Sequence, residues 1–101
     1  MKVNFDDIEI ANIDAGGGAI YHYQNSPFTG TIMEYNNLGI LVGELTIVNG
    51  SKKGRTALYY DNGQIMEESF ESYNRPYGLY RKWDENGNLL EEYDFGPEFQ
   101  P

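Results

Sequence analysis

The stretch that decides the fold is GRTALYYDNG, residues 54–63. Moved back by 24 residues it aligns with GTIMEYNNLG, residues 30–39, and moved forward by 24 it aligns with GLYRKWDENG, residues 78–87. A central aromatic column and two flanking glycine columns then coincide without a gap: Gly30, Gly54 and Gly78; Tyr35, Tyr59 and Trp83; Gly39, Gly63 and Gly87. A fixed period in this range is the signature of a repeat protein.

Each unit predicts a β-hairpin. The segments Asp61-Asn62-Gly63 and Glu85-Asn86-Gly87 are turn signals, because glycine adopts positive φ without steric cost and Asn or Asp tolerates it. Runs rich in β-branched and aromatic residues follow these turns, at 41–48, 65–73 and 89–95. We expect the first glycine of each unit to mark an entry turn or a close approach of two backbones.

We therefore predict an all-β fold, an antiparallel β-meander of tandem 24-residue hairpin repeats that forms an elongated, twisted sheet. The predicted single domain has these parts: repeats 28–51, 52–75 and 76–96, and a tail 97–101. Equivalent strands should place the aromatic column on one face, and the column Leu41, Ile65 and Leu89 likewise on a single face. We interpret the aromatic column as scaffold, with a ligand-stacking surface as the alternative. The apolar strand 41–48 should be central.

Residues 1–27 are the least regular part of the chain. We interpret them as a degenerate first unit that caps the array, since terminal repeats are atypical. The apolar residues from Val3 to Ile10 favour an extended segment, and a short helix from about Asp6 to Ile13 is the competing prediction. Gly16 to Gly18 should form a turn, and residues 19–24 a strand.

The amino-acid composition excludes several classes of function. The chain has 101 residues, no cysteine and a net charge of −9. Binding to nucleic acid or to an anionic membrane is not expected, because phosphate contacts need clustered Lys and Arg. There is no long apolar run, and the N-terminus lacks the apolar core of a signal peptide. These features predict a cytoplasmic protein, and its acidic surface either is an ordinary solvated surface or attracts a basic protein partner.

The charges lie in bands. Residues 52–82 hold six basic and four acidic side chains, whereas 3–51 and 83–101 each hold six acidic and no basic ones. We expect the basic band to pair across strands with glutamates at 67, 68, 91 and 92. The acidic ends form either an ordinary solvated surface or a grip for a basic partner. The candidate partner-binding residues are Asp84, Glu85, Glu91, Glu92 and Asp94.

No pattern of catalytic or metal-binding residues stands out. His22 is the only histidine. The paired glutamates 67–68 and 91–92 are adjacent in strands, so the members of each pair face opposite sides. The segment Asp84 to Asn88 resembles the start of a calcium loop, but its glycine comes too early, and Phe95 stands where the closing glutamate belongs. We predict no enzyme activity, no metal and no cofactor.

The motif resembles that of the MORN-repeat variant family. Residues 54–70 and 78–95 follow its pattern closely, including YDNGQIMEE at 60–68 and WDENGNLLEEY at 83–93. The unit from Gly30 departs from it, with Val42-Gly43-Glu44 in place of the acidic pair and Leu38 in place of the turn Asn. The resemblance implies a bacterial antitoxin or immunity protein that neutralises a toxin by binding. The alternatives are a self-associating scaffold module and a carbohydrate-binding module.

Overall fold

The computed structural model describes residues 1–13 and 18–98. Its strands are β1 (Lys2–Asn4), β2 (Glu9–Ile13), β3 (Ala19–Tyr23), β4 (Ser26–Pro27), β5 (Gly30–Tyr35), β6 (Leu41–Val48), β7 (Ser51–Tyr59), β8 (Ile65–Ser72), β9 (Arg75–Trp83) and β10 (Leu89–Asp94). The predicted turn at Gly16 and Gly17 and the tail beyond Glu98 lie outside the described residues. No helix in the described ranges is long and apolar enough to cross a membrane.

The fold is nearly all β, as predicted. Seven strands form one sheet in the order β1-β5-β6-β7-β8-β9-β10, and the other three form a small sheet in the order β2-β3-β4. The three predicted hairpins are β5–β6, β7–β8 and β9–β10, each antiparallel. The apolar strand β6 lies inside the large sheet.

The prediction of one continuous, elongated meander is wrong. Strand β1 pairs in parallel with β5, so the large sheet is mixed, and β2 to β4 form a sheet of their own. The molecule measures 40 × 37 × 21 Å, which is a broad slab. Residues 2–4 form an edge strand of the large sheet, and β2 to β4 fold onto a face of that sheet.

The turns within the three hairpins are built alike. In each, the amide of the closing glycine donates to the carbonyl oxygen three residues earlier, and the glycine φ lies between 79° and 87°. The bonds measure 3.0, 3.0 and 3.1 Å and join Gly39 to Asn36, Gly63 to Tyr60 and Gly87 to Asp84. Positive φ favours glycine, which explains the last conserved column of the repeat.

Two-residue turns at the other end of the strands also repeat. Both central residues have positive φ, as a type I′ turn requires. These pairs are Gln24-Asn25, Asn49-Gly50 and Tyr73-Asn74. The predicted strand 65–73 therefore ends at Ser72. The first pair extends the repeat back into the N-terminal segment, through the hairpin of β3 and β4.

The first glycine of the second unit lies inside a strand, so the expected entry turn is wrong there. Gly54 is the fourth residue of β7, beside the register shift between Leu45 and Ile47 of β6. Its φ is +117°, and a Cβ on it would lie 3.1 Å from Thr46 Cγ2. Only the Thr46 side chain approaches Gly54, so the expected close approach of two backbones is not confirmed there. It is confirmed at Gly30, where a Cβ would collide with the backbone carbonyl oxygen of Met1.

The hydrophobic core lies at one end of the large sheet. Ile32, Leu45 and Ile47 define what we call the core face, and they are at most 8% exposed. Tyr21 and Phe28 from the N-terminal segment pack against them. A single-layer sheet would leave this aliphatic row in water, so residues from the N-terminal segment fold over it and leave the meander.

The segment before residue 14 is mainly extended, and the competing helix from Asp6 to Ile13 does not form. Its only helical element is a single 3₁₀ turn at Phe5–Asp7, capped by the Asn4 side chain, which accepts a 2.9 Å hydrogen bond from the amide of Asp6. Phe5 and Ile8 pack on the core.

The aromatic column lies on the opposite face of the sheet. Tyr35, Tyr59 and Trp83 are paired in register with Leu41, Ile65 and Leu89 respectively. The Tyr59 hydroxyl donates to Glu44 Oε1 over 3.2 Å. Hydrogen bonds between neighbouring turns stack the units, including one from the Tyr60 hydroxyl to the carbonyl oxygen of Trp83 at 2.8 Å. Both features fit the scaffold interpretation.

Candidate functional site

The five predicted partner-binding residues all lie on the C-terminal hairpin, but they do not form one cluster. Strand alternation places Glu91 on the core face, and Glu92 and Asp94 on the opposite face. Asp84 and Glu85 lie in the turn between β9 and β10. The acidic residues therefore point to at least three different surroundings.

Three of these carboxylates bind groups within the chain. Asp84 Oδ1 accepts hydrogen bonds from the amides of Asn86 and Asn88, both 2.9 Å long. Bonds from the Asn88 backbone and side chain lower the pKa of Asp84. Asp94 Oδ1 accepts the amide of Gly96 at 2.8 Å. Glu92 Oε2 lies 2.8 Å from Arg81 Nε.

The expected pairing of the basic band is confirmed for Glu68 and Glu92, which form ion pairs with Arg55 and Arg81, but not for Glu67 and Glu91, which form none within 4.0 Å in the described residues. Arg55 Nε lies 2.6 Å from Glu68 Oε2 on the neighbouring strand, and this hydrogen bond raises the pKa of Arg55. Lys53 Nζ lies 2.9 Å from Glu98 Oε1 and 4.8 Å from the centre of the Tyr73 ring. The partly exposed Arg55–Glu68 pair stabilises the fold by about 1 kcal/mol or less.

Glu91 lines a cavity of about 400 Å³ on the core face of the last hairpin. The other lining residues are aromatic: Tyr80 on β9, Tyr93 on β10, and Phe95 just after it. The Tyr93 and Phe95 rings meet edge to face with their centres 4.8 Å apart. Tyr93 is 58% exposed and Phe95 47%, so this is an open aromatic surface with a carboxylate in it. We call these four residues the aromatic pocket.

The surroundings of the aromatic pocket are negatively charged. Burial raises the pKa of the Tyr80 hydroxyl, and the charges of Glu67 and Glu91 raise it further. Lys82 is paired in register with both glutamates. Within residues 1–13 and 18–98, none of these three charged side chains forms an ion pair within 4.0 Å.

A second cavity, of about 410 Å³, lies at the hairpin turns of the second and third units. It places Glu85 beside Tyr59, Met66 and residues 60–62. The Asn62 side chain donates to the carbonyl oxygen of Glu85 at 3.1 Å, so two residues that line this cavity also form a bond that stacks the units. We assign it to the scaffold.

Strand β10 forms an edge of the large sheet, and all six of its residues are exposed. Leu89 and Leu90 are 52% and 59% exposed. An edge strand presents unpaired backbone amides and carbonyls that another strand can bind. The last hairpin thus combines an open edge, exposed apolar side chains and uncommitted carboxylates.

The described residues contain no cluster of three or more side chains able to hold a metal ion. His22 lies on β3, paired in register with Glu9 and Pro27. Sequence reasoning missed Tyr80, Tyr93 and Phe95. The repeat register carried a signal for them, because aromatic residues there replace aliphatic ones of the first unit.

Comparison with known proteins finds no match among family models, curated proteins or solved structures. The resemblance to the MORN-repeat variant family therefore rests on the repeat motif alone.

Proposed function

We propose that this chain is a non-enzymatic bacterial antitoxin or immunity protein that binds a basic, nuclease-like toxin in the cytoplasm and covers its substrate-binding surface. The proposal rests on the surface of the last hairpin, β9 and β10. It is an exposed edge whose aromatic and aliphatic side chains lie beside carboxylates. Aromatic anchors and complementary charge are the features that give protein interfaces their affinity and register.

The C-terminal acidic residues are the proposed contact region. Glu85 and Glu91 should contribute most, because Asp84, Glu92 and Asp94 already bind groups within the chain. The net charge of −9 adds long-range attraction for a basic partner and speeds its approach. The resemblance to the MORN-repeat variant family supports the same function.

The test is co-expression with the product of the neighbouring open reading frame. Growth inhibition by that product, relieved by this chain, together with a purified complex of the two proteins, supports the proposal. The affinity should fall as salt rises, because exposed charges are screened beyond about 10 Å at 0.1 M ionic strength. A neighbouring product that is harmless, or toxic whether or not this chain is present, contradicts the proposal.

A matched pair of variants tests the contact region. Glu91→Gln should weaken the toxin complex and reduce its salt dependence, whereas Glu92→Gln should have a smaller effect. The two residues are adjacent and the charge change is identical, but Glu92 lies on the opposite face and is paired with Arg81. Equal effects of both changes would mean that the surface acts only through its total charge.

A self-associating scaffold is the second candidate, favoured by the open edge of β10. Two such edges from different copies can pair as one continuous sheet. Light scattering after size exclusion separates the candidates. A stable homo-oligomer favours the scaffold, and a monomer that forms a complex with the toxin favours neutralisation.

A further inference from the structure

The three aromatic residues of the aromatic pocket occupy the same repeat positions as the residues that define the core face. At the 24-residue spacing, two units separate Ile32 from Tyr80, Leu45 from Tyr93, and Ile47 from Phe95. The strand registers agree, since Ile32 pairs with Leu45 and Tyr80 pairs with Tyr93. The first and third units therefore present the same surface with different side chains.

In the first unit, aromatic side chains from the N-terminal segment cover the core face. There, Tyr21 and Phe28 pack over the row, and both are nearly fully buried. The amide of Tyr21 also donates to the carbonyl oxygen of Gly50 at 2.8 Å, which fixes the covering segment to the edge of the unit. In the third unit the counterparts of Leu45 and Ile47, which are Tyr93 and Phe95, stay about half exposed.

The charged side chains of the two surfaces differ in kind and position. Gly43 of the first unit is equivalent to Glu67 and Glu91 in the later units, and Glu34, which is paired with Gly43, is equivalent to Lys82. The aromatic rings of the third unit therefore lie beside two carboxylates, Glu91 and Glu67 of the second unit, with Lys82 between them in the register. Rings attract cations through their electron-rich faces, and a carboxylate beside them adds direct charge attraction. A guanidinium suits such a site better than an ammonium, because it stacks flat on rings and binds a carboxylate with two hydrogen bonds.

We propose that the aromatic pocket receives an arginine side chain of a basic partner protein, in the place that the N-terminal segment occupies on the first unit. This inference rests on the proposed function for the source of the arginine. The recognition itself depends only on the aromatic pocket and the neighbouring Glu67. The carboxylates of Glu67 and Glu91 bind the guanidinium, and the rings of Tyr80, Tyr93 and Phe95 enclose its stem.

Lys82 sets the strength of this recognition. It lies between Glu67 and Glu91 in the strand register and partly neutralises them. Because it forms no ion pair within 4.0 Å in the described part of the chain, it competes for the carboxylates without filling the pocket. Lys82→Met should strengthen the binding of arginine about threefold to tenfold, by removing one nearby positive charge.

The test is an NMR titration of the purified protein with Nα-acetylarginine amide. The control probe is the citrulline analogue, which has nearly the same shape and no charge. We expect amide shifts at Tyr80, Glu91, Tyr93 and Phe95 that saturate with the arginine probe only. Glu91→Gln should weaken binding about tenfold, and Glu9→Gln, an exposed residue of the small sheet, should leave it unchanged.

Tyr93→Leu separates the role of the ring from that of apolar packing. Leucine keeps an apolar side chain there but has no electron-rich face, so the arginine probe should bind about threefold to tenfold more weakly. Unchanged binding by Tyr93→Leu, or equal shifts with arginine and citrulline, would overturn the inference. Pocket shifts that depend on protein concentration without any probe would also overturn it, because a second copy would then fill the pocket.

This titration needs no toxin, so its failure and that of the proposed function are distinguishable. Toxin neutralisation without arginine-specific shifts overturns the pocket and leaves the proposed function standing. Arginine-specific shifts in a chain that neutralises no neighbouring toxin leave the pocket standing and contradict the proposed function.

Discussion

Truncation of equivalent residues in the first and third units should have very different effects on stability. Ile47 is 1% exposed under the N-terminal segment, and its counterpart Phe95 is 47% exposed. Ile47→Ala leaves a cavity in the core and should lower the free energy of unfolding by about 2–5 kcal/mol. Full burial of a phenylalanine is worth about 1.5–3 kcal/mol, so half-exposed Phe95 should lose about 1 kcal/mol on truncation to alanine.

Urea unfolding measures this difference directly. The fluorescence of Trp83, the one tryptophan, reports the transition. The slope of free energy against urea should not change, since neither substitution alters the surface exposed on unfolding by much. An equal loss for Ile47→Ala and Phe95→Ala would refute the reasoning, because it would mean that Phe95 is as well covered in solution as the core.

Three further predictions concern backbone and charge. Gly54→Ala should lower the free energy of unfolding by about 1–3 kcal/mol, because φ is +117° and Thr46 Cγ2 lies 3.1 Å from the new Cβ. In the control Gly43→Ala, the new Cβ meets only the flexible end of a side chain at that distance. An equal loss of stability in the control would contradict the argument that Gly54 is held in a strained backbone conformation. The lowered pKa of Asp84 means that its stabilisation is present above its unfolded pKa of about 3.9 and is lost as pH falls through the folded value, so melting temperatures of Asp84→Asn should fall less steeply in acid. The raised pKa of Tyr80 means that stability is present below its unfolded pKa of about 10 and is lost as pH rises through the folded value, so Tyr80→Phe should flatten the alkaline limb of the urea midpoint against pH.

The repeat could be predicted from sequence because local rules dictate it. Each hairpin turn needs a glycine at positive φ, and the strands on either side need β-branched or aromatic residues. A residue such as Gly63 therefore marks its turn whatever the rest of the chain does. The predicted strands 41–48, 65–73 and 89–95 agree with β6, β8 and β10 to within one residue.

The path of the N-terminal segment could not be predicted in this way. The parallel pairing of β1 and the packing of Tyr21 over Ile32 depend on which apolar surface of the sheet would otherwise be exposed to water. That is a property of packing across the whole molecule. The 24-residue period could not reveal it, because the period describes only how each unit resembles the next.

The candidate site was predicted in part. Charge density pointed to the C-terminal acidic residues, and strand alternation separated Glu91 from Glu92. Local sequence could not show that Asp84 binds its own turn or that Tyr93 faces Tyr80 across the strands. Both contacts depend on the register in which neighbouring strands pair. The turns determine this register, and the amino-acid composition does not.

Comparison with the second unit indicates that the aromatic pocket does more than terminate the sheet. A repeat of this sheet needs no aromatic side chains at these positions, since the second unit has partly buried polar residues there: Thr56, Ser69 and Glu71. Tyr80, Tyr93 and Phe95 stand in their place in the third unit. Solubility alone would favour the polar set, because exposed aromatic surface invites association. Aromatic rings kept half exposed beside two carboxylates are therefore best explained by a ligand that covers them.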